Sequence, residues 1–162
     1  NLGDTIQFTS IKPYKVVVTG RIKHFISAFG EHVIGKEVET AINEALKTEK
    51  AIISEFTVAP QIETSSNELP YHEWFIEFEK EPKNLKYFAQ NIDLSLQKQN
   101  SYYKDLIEGK VLQQLKITVV PQEGFKEYMR SIGKLGGQNK LPRLSNDRKI
   151  ATVLEKIIKE NE

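Results

Sequence analysis

The loop GGQNKLPR, residues 136–143, puts one cation where it could do chemistry. Gly136 and Gly137 lift side-chain constraint and open backbone angles closed to other residues. Lys140 then carries an ammonium at the tip, and Pro142 stiffens the exit before Arg143. Such a loop is either an idle surface turn or a mobile arm that delivers a cation to someone else's anionic reaction centre. Three more charges sit at a glycine or a bend: Asp4 after Gly3, Arg21 after Gly20, and Lys23 in the polar step Lys23–His24. A carboxylate or guanidinium beside Gly often does no more than shape a surface turn, so these residues are open to both readings. No Ser/His/Asp set, phosphate-cradling loop or dinucleotide fingerprint accompanies them. His24, His32 and His72 do not have a metal-ligand spacing, and each is expected at the surface or partly buried.

The elements that would hold these residues follow from periodicity. TIQFTS and YKVVVTG read as strands joined at Pro13. Residues 25–34 are strand-like, and Phe29-Gly30-Glu31-His32 suits a two-residue hairpin turn with Gly at the first central position. A helix is predicted from about Lys36 to Lys47, because Val38, Ala41, Ile42, Ala45 and Leu46 share one face. AIISEFTVAP is a strand and IETSSNELP a polar loop. HEWFIEFEK alternates, with Trp74, Ile76 and Phe78 on one side and Glu73, Glu77 and Glu79 on the other, which predicts one packed and one solvated face. Pro82 and Asn84 introduce a helix carrying Leu85, Phe88, Ala89, Ile92 and Leu96. A short helix from Ser101 stops near Gly109, LQQLKITVV is a strand, and a helix runs near Phe125 to Ile132. Ser145 is expected to cap a last helix with Ile150, Val153, Leu154, Ile157 and Ile158. From residue 25 the order is β-α-β-β-α-β-α-α. That order predicts an α+β fold: a small, mostly antiparallel or mixed β-sheet packed against helices, preceded by a short β-hairpin.

Totals narrow the function classes. The 162 residues are enough for one domain with a core, and 39% apolar with 28% charged residues argues against disorder. A net charge of +1 gives no bulk electrostatic case for nucleic acid or an anionic membrane. The Glu-rich outer face of the aromatic strand would also repel RNA phosphates. Zero cysteines exclude disulfides and thiolate chemistry and fit a reducing, cytoplasmic setting. No apolar run is long enough to span a bilayer as a helix. The chain begins at Asn1 and its one methionine is Met129, so it reads as an interior piece of a longer protein.

Taken together, LGD, a strand pair, GRIKHFISAFGEHVIGKEVE and a distal Gly-rich loop with one Lys resemble the end of the acyl-adenylate-forming superfamily. That superfamily has Gly-Arg-x-Asp near a hinge, a short hairpin with a Gly, and a helix that begins with Glu. Gly20, Arg21, Gly30 and the start Glu37-Val38-Glu39 match. Within it, FGEHVIGKEVE and LKITVVPQEGFKEYMRSIGKLGGQNKLPR look most like the auxin-responsive Gretchen Hagen family of acyl acid amido synthetases. The likeness covers nearly this whole chain but only the last part of such an enzyme. There are two departures: Asn139 rather than Gly precedes the lysine, and the plant loop is slightly longer, with a Tyr before its Lys.

The resemblance implies a division into residues 1–22, linker strands and a hinge-proximal segment belonging with an N-terminal adenylation domain, and residues 23–162, a C-terminal lid. It implies that Asp4 binds the ribose hydroxyls of ATP, that Arg21 contacts or supports the ribose, and that Lys23 is the hinge. Gly30 and Glu31 would form an acceptor-side hairpin, and Lys140 would meet the acyl carboxylate and α-phosphate. ATP and Mg²⁺ would be held mainly by the N-terminal domain, with no metal site in the lid. The implied activity joins a small carboxylic acid to an amine, an amino acid by preference, through an acyl-adenylate. The lid alone would be inactive. The auxin label of the family does not carry over to this chain. Two other readings stand beside it: a relative that forms thioesters with coenzyme A, and a stand-alone small-molecule or protein-binding module.

Overall fold

A computed structural model describes residues 4–21, 25–64, 68–136 and 139–161. Its elements are β1 (Asp4–Ile11), β2 (Tyr14–Arg21), β3 (Phe25–Ile26), β4 (Val33–Ile34), α1 (Gly35–Thr48), β5 (Ile52–Gln61) and β6 (Tyr71–Lys80), then α2 (Leu85–Gln99), α3 (Ser101–Glu108), β7 (Lys116–Val120), α4 (Gly124–Ser131) and α5 (Lys149–Glu160). The strands form three small sheets. β1 pairs with β2, β3 pairs with β4, and β5-β6-β7 form the central sheet. In that sheet β5 is antiparallel to β6 and β7 is parallel to it. The mixed α+β architecture is the one predicted.

The helices form where the apolar spacing demanded. Val38, Ala41, Ile42 and Ala45 of α1 and Phe88, Ile92 and Leu96 of α2 are buried. They pack on Trp74, Ile76 and Phe78 of β6, whose side chains share one face of the sheet. Ile26 and Val33 add the small β3–β4 pair to the same core. Local polar groups fix the helix starts. Asn84 Oδ1 accepts from the Tyr87 N–H at 2.9 Å, and Asn100 Oδ1 does the same for Tyr103 at 2.9 Å. At α1 the Glu37 carboxylate reaches back to the Ile34 N–H at 2.9 Å.

The second face of β6 departs from expectation. Phe75 lies between Glu73 and Glu77 on that face and is fully buried against Phe125 and Tyr128 of α4 and Ala151 and Leu154 of α5. α4 and α5 therefore cover the face predicted to be solvated. Each buried carboxylate has partners, as burial requires. Glu73 accepts from Thr118 Oγ1 at 2.5 Å and from Arg148 Nη2 at 2.8 Å. Glu77 accepts the backbone N–H groups of Glu123 and Phe125, both at 3.1 Å, and so caps the start of α4 from a neighbouring strand. Of the three glutamates only Glu79 is exposed.

Two local expectations also change. The connection between β3 and β4 is residues 27–32, not a two-residue turn, since Ile26 pairs with Val33. The last helix starts at Lys149, four residues after Ser145. Asp147 Oδ1 accepts the Lys149 N–H at 3.0 Å, and Ser145 Oγ accepts the Asp147 N–H at 3.2 Å, so Ser145 shapes the preceding turn instead of capping. That backbone hydrogen bond, with the Lys149 ammonium beside it, holds the Asp147 carboxyl below its ordinary range.

Candidate functional site

Two loops carry the candidate residues, and they are built differently. The first is the Lys140 loop. It begins where α4 ends: the Gly133 N–H bonds to Arg130 O at 3.0 Å and the Lys134 N–H to Met129 O at 2.8 Å. This is a left-handed helix stop, with Gly133 at φ +66°, where glycine has no Cβ penalty. The Asn139 side chain closes the loop, donating to Lys134 O at 3.3 Å and Gly136 O at 3.2 Å. Asn139 therefore braces the backbone immediately before the lysine.

The exit of this loop is stitched to the free edge of β5. Thr57 Oγ1 donates to Pro142 O at 2.8 Å, the Val58 N–H to Arg143 O at 3.0 Å, and the Ser145 N–H to Val58 O at 3.0 Å. The Arg143 guanidinium lies 5.0 Å from the Phe56 ring centre and pairs with Glu39. Lys140 stands between the brace and the stitch, exposed, on a cleft of about 730 Å³. Lys126, Lys134 and Arg143 bring further positive charge to the cleft, while Glu39, Glu55 and Glu77 oppose it and Phe125, Met129 and Leu141 line its apolar wall. Glu55 and Glu77 are direct partners across β5 and β6. A cation on the cleft is favoured by those carboxylates, and lifting it away costs little because it remains in water.

The second is the 27–32 loop with Gly30 and Glu31. Gly30 is exposed at φ +92°, a conformation that L side chains rarely adopt. Glu31, one residue on, is fully buried. His72 Nε2 donates to Glu31 Oε1 at 2.8 Å, and the Phe29 N–H donates to Glu31 Oε2 at 2.8 Å. Because a carboxylate only accepts, Nε2 must carry the proton. Burial alone would raise the Glu31 carboxyl, but the His72 hydrogen bond and charge, with backbone N–H groups, hold it below its ordinary value. Asn100 Nδ2 donates to Glu31 O at 3.1 Å. Asn146 takes the start of the loop from the other side, accepting the Ser27 N–H and donating to Phe25 O, both at 2.8 Å.

A further buried set lies behind His72. The Tyr103 ring centre is 5.3 Å from that of His72, and the Tyr103 hydroxyl donates to Asp93 Oδ1 at 2.7 Å. Burial first, and then the Asp93 carboxylate, push the Tyr103 phenol well above its ordinary value. The same Asp93 oxygen accepts the Leu115 N–H at 3.1 Å. His72, expected at the surface or partly buried, is thus a core residue at 1% exposure. The signal was in the strand, since His72 precedes Trp74 by two and shares its packed face. Nothing local marked Asp93 and Tyr103.

The remaining candidates are placed less fully. Asp4 and Arg21 are backbone partners at the open end of the β1–β2 hairpin. Lys23 and His24 lie outside the described residues. Asn146 joins the two loops through the chain just after the Lys140 loop. Among the described residues no three His, Asp or Glu side chains converge as a metal site, and no helix is long and apolar enough to cross a membrane.

Comparison with known proteins agrees with this architecture. Residues 36–149 match the family model described as the GH3 family C-terminal domain. Among solved structures, the chain is similar to a GH3.15 acyl acid amido synthetase, with a TM-score of 0.73 and 20% identity over 95% of this chain and 30% of that one. It is also similar to the AtGH3.15 acyl acid amido synthetase in complex with 2,4-DB, with a TM-score of 0.71 and 20% identity over 96% of this chain and 29% of that one. At that identity the likeness is one of fold. The chain spans under a third of the length of these structures. No curated protein matches it in sequence.

Proposed function

The chain belongs to the GH3 family, whose C-terminal domain it carries, and on that premise we propose that it is the lid of an ATP-dependent acyl acid amido synthetase. The family match over residues 36–149 carries this reading. The full-length enzyme would act in two halves. An acid carboxylate attacks the α-phosphorus of ATP, giving an acyl-adenylate and pyrophosphate. An amine, by preference that of an amino acid, then attacks the acyl carbon and expels AMP.

Lys140 is the lid's catalytic residue in the first half. Negative charge builds between the carboxylate and the α-phosphate, and a positioned ammonium stabilises it. The exposed lysine between a braced entry and a stitched exit suits that task. Asp4 would accept from the ribose hydroxyls and Arg21 would support the contact. ATP and Mg²⁺ would be held mainly by the N-terminal adenylation domain. Rotation about Lys23 would exchange the Lys140 loop for the Gly30 hairpin between halves. The reaction and the absence of cysteine suit the cytoplasm.

Residues 1–22 are read as linker strands that belong with the N-terminal adenylation domain. Ile6, Phe8, Tyr14, Val16 and Val18 are all exposed on β1 and β2, with Phe8 at 58% and Tyr14 at 79%. A lone two-stranded hairpin is marginal in water without such cover. The test is an assay of the full-length protein with ATP, a panel of acids, and either amino acids or coenzyme A. Amide products with amino acids support the reading. Thioester formation alone would assign the chain to the coenzyme A ligases, and tight ATP binding by this chain by itself, read by calorimetry, would favour a stand-alone module.

A further inference from the structure

Glu31 lies in the loop proposed to face the amine, yet its carboxylate points into the core and cannot reach a substrate from there. Gly30, its neighbour, is exposed with open space around it. The loop is therefore divided within two residues into an outward apex and an inward anchor. The anchor is more elaborate than a short loop requires. Glu31 Oε1 meets His72 Nε2 on β6, Oε2 meets the loop's own Phe29 N–H, and the Glu31 carbonyl meets Asn100 at the α2–α3 junction, so two other parts of the fold and the loop's own backbone hold one residue. His72 Nδ1 is buried with no hydrogen-bond partner among the described residues, so the ring's one hydrogen bond there is to Glu31. Asn100 is itself fixed, because its Oδ1 caps α3. His72 sits on the central strand of the sheet, flanked by the Phe29 and Tyr103 rings.

From this geometry we infer that Glu31 and His72 are positioning residues that set the backbone of the Gly30 apex for the amide-forming half-reaction. The inference rests on the amido synthetase reading. Neither side chain contacts substrate; each acts through the loop. A buried pair suits this work, since a satisfied polar contact fixes one arrangement where an apolar contact tolerates several. The lid then presents to the amine a backbone whose shape is decided inside its own core. Adenylate formation, which uses the other loop, does not depend on the pair.

The test uses the full-length enzyme with the two half-reactions measured separately. His72→Phe keeps the ring volume and removes the donor. His72→Gln replaces Nε2 with an amide N–H at similar reach. The inference expects His72→Phe to lower the amide-forming rate at saturating amine by about tenfold or more, given the sensitivity of such steps to displacement. Pyrophosphate exchange should stay within about threefold, and His72→Gln should recover most of the loss. Glu31→Gln should fall between them, because its amide cannot accept from both donors. An equal fall of both half-reactions, or an unchanged amide step in folded His72→Phe, overturns the inference. If His72→Phe does not fold, the outcome rests on Glu31→Gln: a selective loss in the amide step supports the inference, and no selective loss overturns it. A wild-type enzyme that makes adenylate but no amide refutes the amido synthetase reading instead, and is a distinguishable result.

Discussion

The 27–32 loop and the Lys140 loop differ in where their fixed points lie. In the first, a fully buried carboxylate within the loop bonds to the central strand. In the second, the fixed points flank the lysine, at Asn139 before it and at the β5 edge after it, and the lysine itself is in water. Burial within a loop selects one conformation, because breaking it strands a charge away from solvent. Tethers at the ends of a loop fix its place and leave its tip free to change partners. The same small domain thus carries one loop suited to holding a shape and one suited to delivering a group. That contrast is what the proposed lid, serving two half-reactions, would need.

The contrast can be broken from either side. The largest expected effect is catalytic. Lys140→Ala in the full-length enzyme should slow adenylate formation by about 10²–10³, the usual cost of removing a group that stabilises developing charge. Pyrophosphate exchange reads this directly, and a loss of under tenfold would remove Lys140 from the chemistry. The next effect is on stability. His72→Phe leaves the Glu31 carboxylate short of a buried partner and should cost about 3 kcal/mol. Lys140→Ala, at an exposed position, should cost within about 0.5 kcal/mol. Urea unfolding of the two variants compares the loops on one scale, and equal costs would erase the distinction.

Smaller effects sharpen the picture. Gly30→Ala meets no steric neighbour but must hold a left-handed backbone. It should cost about 1–2 kcal/mol, read from the urea midpoint, and a neutral result would mean that the apex relaxes freely. The pH dependence has a definite sign. The Glu31 carboxyl is lowered from 4.5, so its contribution is complete above that value and is lost as pH falls through the folded value. Stability of the wild type should therefore drop more steeply below about pH 4.5 than that of Glu31→Gln. Parallel acid limbs would mean that Glu31 is not held as a carboxylate.

Much of this framework was legible in the sequence. Apolar spacing located α1 and α2, and alternation placed Trp74, Ile76 and Phe78 on a packed face. The order of elements gave the α+β class. The other face of β6 was misread because its glutamates outnumber its single phenylalanine. Phe75 between Glu73 and Glu77 was the mark of a second layer, since a strand solvated on one side has no use for a large aromatic there. The Glu31–His72 bond was not legible, because the two residues are 41 apart in sequence and meet only through tertiary packing. Gly30 announced a bend, but the length of its loop depended on how β3 and β4 registered. The Lys140 loop was the reverse case. Its glycines and lysine were visible, while the bracing role of Asn139 needed coordinates.

The most direct measurement is single-turnover amide formation by full-length Lys140→Ala from isolated acyl-adenylate. Two loops with separate duties predict a rate close to that of the wild type, because the lysine has no part in the second half. A loss as deep as the loss in adenylate formation would contradict the division of labour.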